Sequence, residues 1–291
     1  MVKELRRFRV KTFLFLLSTL SIVRAASPEL EKAQKLYNLT DFEGSLQILN
    51  TIQPRDASVN TWIGRNFYMQ TDYKRASEAL EKAFAQDPSS SEIALWAGRA
   101  FGRRAETSSM FTAPGYASKA RAYFEKSVHL NPRNLEALAD LFEYYLEAPG
   151  FLGGGFDKAQ ATSRQIAQID AAEGHFTQAR LAEKRKQFRG TEEHLRRAVE
   201  AAPQQIGRLI DLARFLAKEG RLQESDQNLA TAEKLNPNSP KLLYAKADLY
   251  IKQNRNLDVA KDLLKRYLTS NLTPDDPPRS DAEKLLKQLG G

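Results

Sequence analysis

The chain has 291 residues, with 44 Lys or Arg against 36 Asp or Glu, a formal net charge of +8 and no cysteine. The missing cysteine excludes disulfide staples and a lipoprotein anchor, so burial must hold the fold. Residues 1–25 contain six of the basic side chains and one Glu, a net of +5; +8 less +5 leaves +3, which removes the basic excess of a nucleic-acid-binding domain.

Lys3, Arg6, Arg7, Arg9 and Lys11 precede an apolar run from Thr12 to Val23, and Val23-Arg24-Ala25 places small residues where a signal peptidase reads the chain. Those three regions in that order predict a secretory signal, residues 1–25, cut after Ala25. The apolar run falls short of the roughly 20 residues a membrane-spanning helix needs, so only an uncleaved signal would anchor the chain. Arg6-Arg7 is followed too closely by phenylalanine to read as a twin-arginine signal. The expected location is exported, periplasmic or secreted, in a bacterial envelope.

From residue 28 onward the periodicity is helical, and no strand is indicated. Ala33, Leu36, Ser45, Leu49 and Ile52 form a first helical hairpin, about 28–54, which Pro54 ends. Gly64, Phe67, Tyr73, Ala76, Leu80 and Ala83 form a second, 57–88. Trp62-Ile-Gly-Arg-Asn-Phe67 then recurs 34 residues later as Trp96-Ala-Gly-Arg-Ala-Phe101, opening a third hairpin, 91–132, with Ala120, Phe124 and Ser127 on its second helix and ten extra residues between the helices. Phe142, Tyr145, Phe156 and Ala159 mark a fourth, 135–171, with five extra residues. Ala179, Ala182, Phe188, Thr191, Leu195 and Ala198 mark a fifth, 172–203. Ala213, Leu216, Leu222, Ser225, Leu229 and Ala232 mark a sixth, 206–237, and Ala247, Tyr250, Ala260, Leu264 and Tyr267 a seventh, 240–271. Beyond Pro274, Pro277 and Pro278, residues 279–289 read as a closing amphipathic helix capped by Ser280, with Leu285, Leu286 and Leu289 inward. Residues three and four apart share one helical face, so large side chains interlock while small ones admit close approach. Pro88, Pro132, Pro203 and Pro237 stop the second helices, because proline lacks the donor a helix requires.

This pattern resembles the tetratricopeptide repeat (TPR) family, whose period is 34 residues. The segment Ala148-Pro-Gly-Phe-Leu-Gly-Gly-Gly155 also looks like one found in exported bacterial repeat proteins of unassigned role. The resemblance implies an all-α, right-handed superhelical solenoid of about seven hairpins over 26–291, closed by a C-terminal helix that shields the last apolar face. It implies a non-catalytic protein-protein interaction scaffold of the cell envelope, which takes a peptide or partner segment in its concave groove. No cofactor, nucleic acid or metal is expected.

In that family the residue after the small position of each first helix faces the groove; here these are Arg65, Arg99, Glu143, Arg180, Arg214 and Asp248. Arginines so placed suit an acidic segment or terminal carboxylate; equally, they suit pairing with Glu across neighbouring repeats, which is worth little per pair. On the first account, Arg65→Ala with Arg99→Ala weakens partner capture without lowering the melting point. Met110, Phe111 and Tyr116, with Phe151 and Leu152, are apolar residues of the two insertions and are expected on one edge of the solenoid, packed together as a small lobe or lining a partner-binding lip. Glycines 153–155 lack the Lys-Ser or Lys-Thr ending of a phosphate loop. His129, His175 and His194 fall on different helices without metal-ligand spacing, and Asp140, Glu143 and Glu147 share a helix whose acids also suit a basic ligand. The alternative function is a small-molecule or glycan-binding component of an envelope transport or secretion complex, with Trp62 and Trp96 as its stacking platform.

Overall fold

The structure is a computed structural model that describes residues 27–290. The expected secretory signal, residues 1–25, lies outside the described residues. Among the latter there are fifteen α-helices and no strand. They run α1 (Pro28–Asn38), α2 (Phe42–Thr51), α3 (Ala57–Met69), α4 (Tyr73–Gln86), α5 (Ser91–Glu106), α6 (Ala113–Leu130), α7 (Leu135–Glu147), α8 (Phe156–Ala167), α9 (Ala171–Lys184), α10 (Phe188–Ala201), α11 (Ile206–Lys218), α12 (Leu222–Leu235), α13 (Pro240–Lys252), α14 (Leu257–Leu268) and α15 (Arg279–Gln288). Consecutive helices pack as α1/α2 through α13/α14, and each hairpin packs on the next.

Local chemistry explains both kinds of turn. First helices begin on side-chain caps: Asp56 accepts from the Val59 N–H, Ser90 from Ile93, Asn134 from Ala137 and Asp170 from Glu173. Five of the turns inside hairpins pass through a residue at positive φ, namely Thr40, Thr71, Lys186, Gly220 and Asn254. The N–H of the following residue then reaches back five positions, as Asp72 does to Phe67 and Arg221 to Leu216. This left-handed closure satisfies carbonyls that a helix end leaves open.

The third and fourth hairpins depart from it. The ten extra residues of the third do not form a loop: α5 extends to Glu106 and α6 starts at Ala113, so Tyr116 is helical. Only 107–112 remain as a turn. In the fourth hairpin, Gly150–Leu152 forms a single 3-10 turn, and Gly153 adopts φ 84°, a value glycine accepts at no steric cost.

Small residues set the packing distance between paired helices. A Cβ on Gly64 would sit 2.5 Å from Leu80, and one on Gly98 would sit 2.5 Å from Phe124, so α3/α4 and α5/α6 approach more closely than alanine permits. Around these contacts Leu80, Ala97, Ala100, Phe101 and Ala120 are fully buried. The same arrangement recurs at Ala179 against Leu195 and Ala213 against Leu229.

At the C-terminal end, Leu272 and Ala282 are buried against α13 and α14, with Leu285, Leu286 and Leu289 packed beside them. Ser280 does not cap the closing helix, contrary to expectation. It lies inside the first turn, and the cap position belongs to Pro278, whose extended backbone leads in from the proline run. The Tyr267 hydroxyl fixes that run by donating to the Pro277 carbonyl. Leu272, Thr273 and residues 276–280 also line a cavity of about 160 Å³ together with Thr40, Phe42 and Met69, so the array curves until its two ends adjoin.

Candidate binding groove

The six positions after the small residue of each first helix lie on α3, α5, α7, α9, α11 and α13, as helical register requires. Four of them are joined into ion pairs that run from one first helix to the next. Arg65 on α3 reaches Glu92 on α5 at 3.0 Å. Arg99 on α5 reaches Asp140 at 2.5 Å and Glu136 at 3.0 Å, both on α7. Glu143 on α7 accepts two bonds from Arg180 on α9, at 3.1 and 3.0 Å. Lys184 to Glu147 at 2.7 Å and Lys218 to Glu183 at 2.7 Å continue the series to α11. Arg214 is exposed and joins no ion pair among the described residues, while Asp248 pairs within its own helix with Lys252 at 2.7 Å.

The charges respond to this company. Burial pushes the Asp140 carboxyl above its ordinary value, with Arg99 opposing the shift. Hydrogen bonds to Glu143 hold the Arg180 guanidinium charged well beyond its ordinary range. The hydrogen bond from Lys218 draws Glu183 below the usual carboxylate value. Asp140, Glu143 and Glu147, which share one helical face, are thereby each engaged by a cation from a neighbouring repeat.

Arg65 is more enclosed than a groove-facing side chain would be. Its guanidinium carbon lies 4.2 Å from the Trp62 ring centre and 4.5 Å from that of Trp96, with Tyr37 at 5.1 Å. Cation-π attraction of this kind is worth about 0.5–2 kcal/mol according to exposure. The two indoles therefore do not stack on one another, and the ring faces expected to form a sugar platform carry the protein's own arginine. Trp62 is half-buried, so Trp62→Ala should cost less than the roughly 3–5 kcal/mol of a fully buried aromatic. Because removing both side chains would uncover two indoles and strand Asp140, Arg65→Ala with Arg99→Ala should lower the melting point.

An apolar opening of about 510 Å³ lies between α5 and α7. Tyr68, Ala105, Phe124, Tyr144, Pro149 and Leu152 give its apolar walls; Arg99, Arg103, Asp140, Glu143 and Glu147 form its charged margin. Both insertions contribute, the first by lengthening α5 and α6, the second through Ala148, Pro149 and Leu152. The Leu152 carbonyl accepts from Tyr144 at 2.9 Å and from Arg121 at 3.1 Å, which ties the turn to the helices behind it.

The insertion residues separate into two sets. Tyr116 stacks on Phe101 with centroids 6.2 Å apart and lies under Arg104, and Leu152 is half-buried. Met110, Phe111 and Phe151 are 81%, 89% and 81% exposed, so the lobe of mutual packing expected of these five residues does not form.

No protein-family description matches the chain, and no curated protein matches it in sequence. Solved structures do. A TPR protein of Parabacteroides merdae superposes with a TM-score of 0.57 at 14% identity, over 90% of this chain and 98% of that one. A thermophilic TPR protein of Thermus thermophilus superposes with a TM-score of 0.53 at 19% identity, over 65% of this chain and 97% of that one. The fold is a TPR solenoid. The ion-paired helices α5 and α7 flank the 510 Å³ opening, and both insertions border it.

One juxtaposition had no signal in the sequence. His175 on α9 and His194 on α10 bring their Nδ1 atoms to 3.4 Å, with one ring nitrogen donating to the other according to tautomer. Burial, then His175, lowers the His194 pKa. Among the described residues there is no group of three or more His, Asp or Glu arranged to hold a metal. The spacing of 19 residues between the two histidines matches no metal motif; only the antiparallel pairing of α9 and α10 unites them.

Proposed function

We propose that the chain is a non-catalytic scaffold of the cell envelope that seats an extended peptide or partner segment in the TPR groove, centred on the third and fourth hairpins. The observation that carries this reading is the apolar opening between α5 and α7, lined by Tyr68, Tyr144 and Leu152 and rimmed by Arg99, Arg103 and Glu147. Apolar walls supply affinity, and the charged margin fixes register and rejects wrong partners. Because most groove arginines are already paired with carboxylates, a partner is recognised chiefly through side chains that enter the opening. Arg214, exposed and unpaired among the described residues, supplies a separate contact for an acidic group further along the groove. The glycan reading loses support because Arg65 covers the indole faces it needs.

A photo-crosslinking residue tests the groove by position. Placed at Ala105 or Tyr144 it should capture a discrete partner in native membranes and periplasm, whereas at the exposed Lys126 of α6 it should not. Equal capture at all three positions, or capture at Lys126 alone, would remove the groove from the account. Export has its own check: the exported chain should begin at Ala26, and an unprocessed chain confined to the cytoplasm would count against envelope residence.

A further inference from the structure

We infer that the turn edge of this solenoid docks onto an anionic lipid surface. The turns inside hairpins all fall on one edge of the stack and the turns between hairpins on the other, because every first helix runs toward the former and every second helix away from it. The exposed large hydrophobic residues are Leu39, Met110, Phe111, Phe151, Phe188, Leu257 and Val259. Every one of them lies in a turn inside a hairpin or in the first turn of the helix that follows it. The opposite edge carries none among the described residues.

Cations concentrate in one turn of this edge, while the exposed carboxylates Asp157, Glu219 and Asp258 stand in others. The sequence Lys184-Arg-Lys-Gln-Phe-Arg189 forms the turn of the fifth hairpin, beside Phe151 in the fourth. Lys184 is paired with Glu147, and Arg185 lies over Phe156, 3.8 Å from its ring centre, which shows that this turn packs next to that of the fourth hairpin. Lys186 and Arg189 are exposed and join no ion pair among the described residues. Lys186 takes the positive φ, 59°, that closes this turn.

The arrangement of the apolar tips selects a lipid over a protein partner. A protein interface requires a contiguous, closely packed apolar centre. Here Met110 and Phe111 in one turn and Phe151 in the next stand apart, each almost wholly in solvent, with the basic turn alongside. A fluid headgroup layer accommodates separated aromatic tips independently, while flanking Lys and Arg extend to lipid phosphates. The helices behind the tips are rigid, so docking requires no refolding. This inference is independent of what the groove holds.

Vesicle flotation of the chain from Ala26 onward, which contains every described hairpin, tests it. The protein should float with vesicles containing phosphatidylglycerol, much less with phosphatidylcholine alone, and progressively less as salt is raised. Phe111→Ser with Phe151→Ser, and separately Lys186→Glu with Arg189→Glu, should each weaken binding by about tenfold or more with an unchanged melting temperature. Absence of flotation with phosphatidylglycerol, equal flotation with phosphatidylcholine, or variants that float like the parent would overturn the inference. So would a lipid-free dimer in sedimentation that Phe111→Ser dissolves, since that assigns the tips to a second copy of the chain.

Discussion

Phe101→Ala should lower the unfolding free energy by about 3–5 kcal/mol in a denaturant titration, the range for emptying a buried aromatic site. Phe101 has no exposed surface and stacks between Tyr116 and Tyr123, with centroids at 6.2 and 5.7 Å and interplanar angles of 22° and 4°. The cavity cannot collapse readily because Gly98 already holds α5 against Phe124 of α6 at the closest approach the backbones allow. In a solenoid each hairpin is supported only by its neighbours, so the loss should appear as a separate, earlier transition of the middle hairpins if cooperativity breaks there. Phe111→Ala is the control: 89% exposed, it should change stability by no more than about 0.5 kcal/mol. A cost for Phe101→Ala below about 1 kcal/mol would mean that α5 and α6 are not packed as described.

Arg99→Ala should lower stability by an amount that depends on pH. Arg99 and Asp140 are mostly buried, with 22% and 29% of their side-chain surfaces exposed. Removing one partner strands the other: a wholly buried pair costs about 3–5 kcal/mol to break, and solvent access here reduces the expectation to roughly 1–3 kcal/mol. The sign follows from linkage. Burial raises the folded-state pKa of Asp140 above its ordinary 3.8, so its contribution to stability is fully present below pH 3.8 and is lost as pH rises through the folded value. Without Arg99 that folded value rises further, and more stability is lost by neutral pH. The deficit of the variant should therefore be small in acid and grow from about pH 4 toward pH 7. Thermal unfolding of both proteins across that interval measures it, and a deficit constant with pH would show that Arg99 acts through packing alone.

Arg180→Ala follows the same logic on α9. Three carboxylates, Glu143, Glu147 and Glu183, lose a common cation, and at about one-third exposure of Arg180 the expected cost is about 1 kcal/mol.

Much of this molecule is legible in its sequence. The 34-residue displacement of Trp62-x-Gly-Arg to Trp96-x-Gly-Arg, with Pro88, Pro132, Pro203 and Pro237 between units, fixed the helix class and located nearly every hairpin, because helical periodicity and proline chemistry are local. Of the expected insertion Arg103–Ser118 only 107–112 is a turn, because α5 and α6 continue where Tyr116 packs against Phe101. The charged positions of the groove could be placed on one face but not matched with partners. Arg99 meets Glu136 and Asp140, and Arg180 meets Glu143, across 37 to 41 residues of chain, and a one-dimensional period does not say which neighbour a long side chain will reach.

By itself, then, the sequence determined what short-range physics governs: helices at known positions, small residues where helices touch, and a repeating stack that buries what one hairpin cannot. Only the tertiary structure decided how those units use their surfaces. It interposed Arg65 between Trp62 and Trp96, joined His175 to His194, brought the proline run near Phe42, and gathered the exposed apolar tips on one edge. These outcomes depend on the accumulated curvature and side-by-side register of successive hairpins, which arise from packing between units and leave no mark in the period of any one of them.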